Sequence, residues 1–289
     1  MAAPQDPIEL DPNASAPEGD DDSITDAQSR LSSTASITSS LLVYRHFRGR
    51  SLPNGDKHIE GFDVSHQWIT MMLGDRLYLP PIGANPQHIL DIGTGTGIRA
   101  IDIADEFPSA EVIGTDISPT QPRWVPPNLE FQIDDAQQGW TFEPESFDFI
   151  HVRYMQGSID DWTKLDKQMD KFLKPGGWFQ HIEPEIALQS DNSEIEVGDN
   201  HTGFTDITHK KFKVSYGTWP KDKQLRDWGQ YTAFYLDPSL DGFAIYPIDQ
   251  ILGWSLEEVE VLVAKMRSGV RNPKNMVFGN VHAVYGRKP

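Results

Sequence analysis

The residues with the most chemical promise sit in one short stretch, Asp91-Ile-Gly93-Thr-Gly95-Thr-Gly97. Glycine is needed where a backbone turns sharply and must approach a ligand with no Cβ in the way. A helix entered from such a loop presents free N–H groups and the positive end of its dipole, which favour a carboxylate or a phosphate. Asp116 follows 19 residues after Gly97. At the end of the next strand, a carboxylate can accept both hydroxyls of a ribose. Asp134 and Asp135 come after a third apolar run, and from there Asp135 could reach an adenine amino group. The chemistry implied is capture of a nucleoside-bearing ligand. The bland alternatives are a tight turn that binds nothing and, for Asp116, a helix cap or a solvated charge.

To bring these residues together, strands and helices must alternate. Gln87–Ile92 reads as a buried strand leading into the loop, and Gly97–Phe107 as a helix with Ala100, Ile101, Ala104 and Phe107 on one face. Glu111–Asp116, Leu129–Ile133 and Phe147–Val152 read as further strands. Thr163–Leu173 reads as a helix, and Pro175-Gly-Gly turns it into a fifth strand, Trp178–Glu183. This alternation implies parallel βαβ units. Upstream, Phe62–Leu79 carries Val64, Trp68, Met71 and Met72 at helical spacing and stops near Gly74. Downstream, Ile207–Tyr216 reads as a strand and Lys221–Leu236 as an amphipathic helix. Ser255 with Glu258 forms a capping box for a helix running to about Arg267, and Asn280–Tyr285 is a last strand. Residues 1–36, rich in Pro, Ser, Ala and Asp, are predicted to be disordered. Residues 37–86 form an N-terminal helical region, and 87–289 the main domain with a helical insertion at about 217–278.

Composition narrows the function. The 289-residue chain has a formal net charge of −18, which repels phosphate backbones and argues against direct nucleic-acid binding. Arg45, Arg48 and Arg50 are the nearest thing to a basic patch, and they read as a solvated face or a ligand clamp. With no cysteine there is no disulfide and no thiolate nucleophile. The histidines are scattered and no H-E-x-x-H occurs, so no metal site is expected. No apolar run approaches the ~20 residues of a membrane span, and the N-terminus lacks a secretory pattern. A cytoplasmic or nuclear setting is the expectation.

The glycine spacing distinguishes among nucleosides. A dinucleotide fingerprint would put its third glycine at position 98, which is Ile98. NAD is therefore the runner-up. The observed G-x-G-x-G, with Asp91 two residues before it, resembles motif I of class I S-adenosylmethionine methyltransferases. Asp116, Asp134-Asp-Ala136 and Leu173-Lys-Pro-Gly-Gly-Trp178 agree with that family's later landmarks. The likeness narrows to the fungal LaeA-like group. It is carried by Ile89-Leu-Asp-Ile-Gly-Thr-Gly-Thr-Gly-Ile98, Val112-Ile-Gly-Thr-Asp-Ile-Ser-Pro119, Trp124-Val-Pro-Pro-Asn128, Gly157-Ser-Ile-Asp-Asp-Trp162 and Tyr285-Gly-Arg-Lys-Pro289.

The resemblance implies a Rossmann-like α/β fold, with a mostly parallel sheet, helices on both faces and an antiparallel last strand. It implies S-adenosyl-L-methionine as cofactor, held among Asp91, Gly93, Thr94, Gly95, Gly97, Asp116, Ile117, Asp134, Asp135, Ala136 and Arg153. It also implies a lid from Tyr44 to His66, with Arg50, Asp63 or His66 near the cofactor or substrate. One departure stands out: only Ser190–Thr202 separates Gln189 from Gly203-Phe204, where the family has a longer helical stretch, and one sheet face would lie uncovered. Members of this group are either pathway enzymes of secondary metabolism or regulators of it. The expected function is methylation of a small-molecule acceptor, and the alternative is a regulator acting through protein partners. A protein partner or a homodimer would also cover the exposed face.

Methyl transfer from a sulfonium needs in-line placement, and a general base only when the acceptor is a poor nucleophile. The catalytic candidates lie at the carboxyl ends of strands four and five, where open α/β sheets bind ligands. They are Arg153, Tyr154, His181 and Glu183; the last two share one face of their strand and would serve as base and orienter if that face lines the pocket, the bland alternative being a polar pair at a sheet edge.

Overall fold

The computed structural model describes residues 8–14, 57–185, 203–245, 248 and 253–289. Arg50, most of the N-terminal tail, the first part of the expected lid and the connection after Glu185 lie outside the described residues. The chain divides into two compact units, one built on Ile69–Val214 with Phe278–Pro289, the other on Pro7–Trp68 with Ser215–Val277. The boundary falls within helix α1 (Lys57–Met72).

The first unit is a seven-stranded sheet. Its elements in chain order are β1 (His88–Ile92), α2 (Ile98–Glu106), β2 (Glu111–Asp116), β3 (Leu129–Ile133), β4 (Phe147–Arg153), α3 (Trp162–Phe172), β5 (Leu173–Pro184), β6 (Thr205–Ser215) and β7 (Phe278–Arg287). The strand order is β3-β2-β1-β4-β5-β7-β6. β1 to β5 are mutually parallel, and β7 runs antiparallel to β5, with Trp178 opposite Arg287.

Side chains alternate across each strand, so the sheet buries two layers. One face packs Ile89, Val112 and Phe149 against Ala100, Ile103 and Ala104 of α2. The other packs Leu90, Ile150 and Phe179 against Leu165, Met169 and Phe172 of α3. Phe204, at the start of β6, lies on Phe179 with ring centroids 4.3 Å apart. This is the Rossmann-like architecture expected, with helices on both faces and an antiparallel end. The fifth strand starts earlier than expected, at Leu173, because the backbone pairs with Phe147 ahead of a bulge between Phe147 and Phe149.

The second unit holds α4 (Lys223–Ile245) and α5 (Leu256–Arg271). The capping box at Ser255 is present: its hydroxyl accepts from the Glu258 N–H, while the Glu258 carboxylate accepts from the Ser255 N–H at 2.9 Å. α4 runs on through position 238 instead of stopping at Leu236. Asp237 draws in Arg267 and Arg271 from α5, and Leu240 is buried against Val259 and Val263, so tertiary pairing overrides the proline stop. Ile8–Ala14 also depart from the disordered tail expected. Leu10 bridges antiparallel to Pro220, Asp11 N–H donates to the Trp219 carbonyl at 2.8 Å, and Arg226 pairs with Asp11 at 3.2 Å.

Candidate active site

The glycine loop leaves β1 and enters α2 through three residues with positive φ, Gly93 at 66°, Gly95 at 57° and Gly97 at 78°. A Cβ on Gly93 would overlap the Met155 sulfur, and one on Gly97 would overlap the Phe131 ring. On Gly95 it would meet nothing within 4 Å. The loop is thus wedged at both ends and open in the middle.

Asp116 closes β2 beside that opening. One carboxylate oxygen accepts the Gly95 N–H at 2.8 Å and the other the Ser118 N–H at 2.9 Å. Each oxygen keeps a further lone pair. Gln121 and Thr120 donate to the Gly95 carbonyl at 2.6 and 2.9 Å, fixing the same residue from above. Asp116 is the register partner of Ile133 on β3. Ile117 is 70% exposed and Ile133 60% exposed, so two bare apolar side chains flank this carboxylate at adjacent strand ends. The exposure of Ile133 is a feature that sequence reading missed, because alternation along β3 puts it on the face of Leu129 and Phe131, which pack in the core.

Asp134 and Asp135 start the next turn. Asp134 accepts the Asp135 N–H at 2.9 Å, and Asp135 accepts the Gln137 N–H at 2.9 Å and the Gln138 amide at 3.2 Å. The backbone N–H of Gln137, then the Gln138 amide, hold the Asp135 carboxyl below its usual range. Ala136 packs against the α3-side core, and its carbonyl accepts from Trp140 and Gln168.

Asp91 lies beneath the loop. It is 3% exposed, and its carboxylate accepts Arg99 at 2.7 Å, Thr94 at 2.8 Å and His151 at 3.1 Å. Burial alone would raise its pKa, but the Arg99 charge and the bonds from His151 and Thr94 hold it well below the carboxylate range. Asp91 and Thr94 therefore brace the loop from inside.

At the end of β4, Arg153 is half-buried, and burial lowers its pKa against the pull of Asp91 and Glu183. Tyr154 follows with φ of 58°, a left-handed conformation that costs an aromatic residue about 1–2 kcal/mol and marks functional sites. Its neighbours Met155 and Gln156 donate their N–H groups to Glu183, at 2.9 and 3.1 Å. Burial pushes the Glu183 carboxyl up to about 7, against the effect of those two N–H groups and of Arg153. Because Met155 also lies over Gly93, Glu183 stands one residue away from the glycine loop. His181 is placed differently. Its ring packs on Trp162 and Phe179, and Nε2 lies 3.4 Å from the Met169 sulfur and 3.7 Å from Asp166. The two residues share a strand face, but His181 is set against α3 and Glu183 against the turn after β4. Asp63 and His66 are buried on α1, in the second unit.

Residues 64–251 match the family model of a methyltransferase domain. The chain is similar to Methyltransferase pytC of Aspergillus terreus, at 32% identity over 89% of this chain and 92% of that protein. It is similar to Secondary metabolism regulator LAE1 of Cochliobolus heterostrophus, at 30% identity over 82% of this chain and 89% of that one. With Protein-methionine methyltransferase laeA of Emericella nidulans it shares 26% identity over 82% of this chain and 72% of that one.

Proposed function

The chain belongs to the methyltransferase-domain family, and from that premise we propose that it methylates a small-molecule acceptor of fungal secondary metabolism, using S-adenosyl-L-methionine. The observation that carries the cofactor reading is the open middle of the glycine loop with Asp116 across it. A nucleoside fits these residues: the spare lone pairs of Asp116 suit ribose hydroxyls, and Ile117 and Ile133 suit the two sides of a base. Arg153 offers a charge for the amino-acid carboxylate, and Asp134, Asp135 and Ala136 a rim for the base. When bound, the cofactor supplies an electrophilic methyl group on a sulfonium.

Glu183 is our candidate base. The reading is supported by its place beside the glycine loop, at the end of a strand where α/β sheets bind ligands, and by a carboxyl poised at about 7. It would take the proton of an acceptor hydroxyl as the methyl arrives. Tyr154, aimed by its strained backbone, and His181, steadied by Asp166, would position the acceptor. The acceptor and the protein would meet in the cytoplasm or nucleus.

A second reading, a regulator acting through partners with little turnover, is favoured by the 30% identity to LAE1. Isothermal titration with S-adenosyl-L-methionine, with NAD as control, followed by turnover on hydroxylated pathway intermediates, separates these readings. Micromolar binding and methylated product support the enzyme. Binding with no turnover on any acceptor shifts the weight to the regulator, and no binding by folded protein removes the methyltransferase reading and leaves the regulator.

A further inference from the structure

Beneath the glycine loop runs a row of buried polar side chains that methyl transfer does not itself require. Asp91 on β1, His151 on β4 and Gln180 on β5 are successive register partners, so they stand side by side on one sheet face. They are 3%, 0% and 0% exposed. Burying such groups is unfavourable unless they are satisfied and useful. Asp91 ties together three stretches that are remote in sequence: the loop through Thr94, the first turn of α2 through Arg99, and β4 through His151.

The hydrogen-bond pattern fixes the state of His151. An ionised carboxylate only accepts, so the contact between Nδ1 and Asp91 Oδ1 at 3.1 Å requires the proton on Nδ1. The other nitrogen, Nε2, is buried with no partner among the described residues. A second proton there would be an unpaired donor and a positive charge beside Arg99, with Arg153 two residues along the same strand. Burial and then the Arg99 charge push the His151 pKa well down, in agreement with the geometry. The ring is the neutral Nδ1–H tautomer.

We propose that His151 is a positioning residue for the cofactor loop: as a neutral Nδ1–H donor it orients Asp91, and Asp91 in turn holds Thr94 and the Gly93–Gly95 backbone ready for the ligand. The proposal rests on the methyltransferase reading for its ligand but not for its hydrogen bond. An Asn at this position can put an amide N–H where Nδ1–H is now, whereas Phe keeps the ring volume without the donor.

Four measurements on the full chain test it. Long-range 1H–15N spectra of the wild type should show the Nδ1–H tautomer unchanged from about pH 5.5 to 8, reporting on a ring faced by Asp91, Arg99 and Arg153. His151→Phe should weaken S-adenosyl-L-methionine binding by about tenfold, the size of one charge-assisted hydrogen bond, and His151→Asn by no more than about threefold. Without any ligand, the amides of Thr94 and Gly95 should exchange faster in His151→Phe than in His151→Asn. Thermal melting controls for folding. A ring that titrates near the usual imidazole pKa, or His151→Asn as weak and as fast-exchanging as His151→Phe, overturns the proposal. Wild-type protein that fails to bind the cofactor overturns the methyltransferase reading instead, while the tautomer and the exchange rates still decide the role of His151. If His151→Phe does not fold, the wild-type tautomer and His151→Asn carry the decision.

Discussion

Gly95 and Gly97 have the same residue type and the same sign of φ but face different surroundings. An added Cβ at Gly97 meets the Phe131 ring, whereas at Gly95 it meets open space. Both substitutions by Ala carry the strain of a left-handed backbone, roughly 1–2 kcal/mol. Gly97→Ala should add overpacking of about 1–3 kcal/mol and lower the melting temperature clearly. Gly95→Ala should lose only that backbone strain and melt above Gly97→Ala, yet bind S-adenosyl-L-methionine at least about tenfold more weakly, since its methyl group would project into the cradle. The reverse ranking, seen by melting and titration of the two variants, would place the ligand elsewhere. Asp116→Asn keeps the shape but loses the charge and part of the accepting capacity. A loss of about 1.5–3 kcal/mol in cofactor binding, or some 10- to 150-fold, is the expected result by titration. The loop and Asp116 were legible in the sequence because their partners are local or one βα unit away. The bracing of Asp91 by His151 was not, since 60 residues separate them and only the β1–β4 pairing brings them together.

On the proposed function, the end of β5 trades stability for chemistry. Glu183 has a folded-state pKa near 7, raised by burial from 4.5. A raised carboxyl favours the protonated fold, so its contribution is most favourable below about 4.5 and is lost as pH rises towards 7. Glu183→Gln removes the ionised state. It should stabilise the protein at pH 8 by about 1–2 kcal/mol, discounted for partial exposure, and change little at pH 5. Turnover should fall by at least about 100-fold, and the wild-type rise in rate through pH 7 should disappear from what remains. Urea unfolding at the two pH values and a pH–rate profile check this. A variant equally stable at both pH values, or one that keeps the rise, would assign the residue to bracing Met155 and Gln156 alone. On the far side of the sheet, Asn128 donates to the carbonyls of Ala104, Phe107 and Ala110, closing the exit of α2. Asn128→Ala should cost about 1–3 kcal/mol, read from denaturant midpoints. Strands β1, β2 and β4 were legible because buried parallel strands read as near-continuous apolar runs, and the edge strand β3 because Leu-Glu-Phe-Gln-Ile alternates apolar and polar. The extension of α4 was not. A proline beside Asp237 signals a stop, and the pairing of Asp237 with Arg267 and Arg271, together with the packing of Leu240 on Val259 and Val263 of a later helix, overrides it.

Across the whole molecule, the two units draw on sequence unequally. The sheet unit takes most of its residues from one stretch, Ile69–Val214, and adds Phe278–Pro289, whereas the helical unit gathers Pro7–Trp68 and Ser215–Val277, which lie far apart along the chain. Composition gave no sign that Ile8–Ala14 would belong to it, because Pro- and Asp-rich segments satisfy their backbones with water when isolated. What orders them is a short antiparallel pairing. Asp11 N–H donates to Trp219 O at 2.8 Å, Lys221 N–H to Glu9 O at 2.9 Å, and two cations, Lys221 and Arg226, meet Glu9 and Asp11 at 3.0 and 3.2 Å. The Glu9 pair is exposed and contributes little, and the Asp11 pair, partly shielded, contributes more. The two backbone hydrogen bonds contribute about 0.5–1.5 kcal/mol each. Removal of residues 1–14 should therefore destabilise the helical unit by about 1–3 kcal/mol. Most of that loss should persist at 0.5 M salt, because backbone bonds are not screened. The Glu9→Gln, Asp11→Asn double variant should lose less than about 1 kcal/mol, and that loss should vanish in salt. Hydrogen exchange at Lys221 localises the effect. Equal protection there with and without the first 14 residues would mean that the pairing holds nothing in solution.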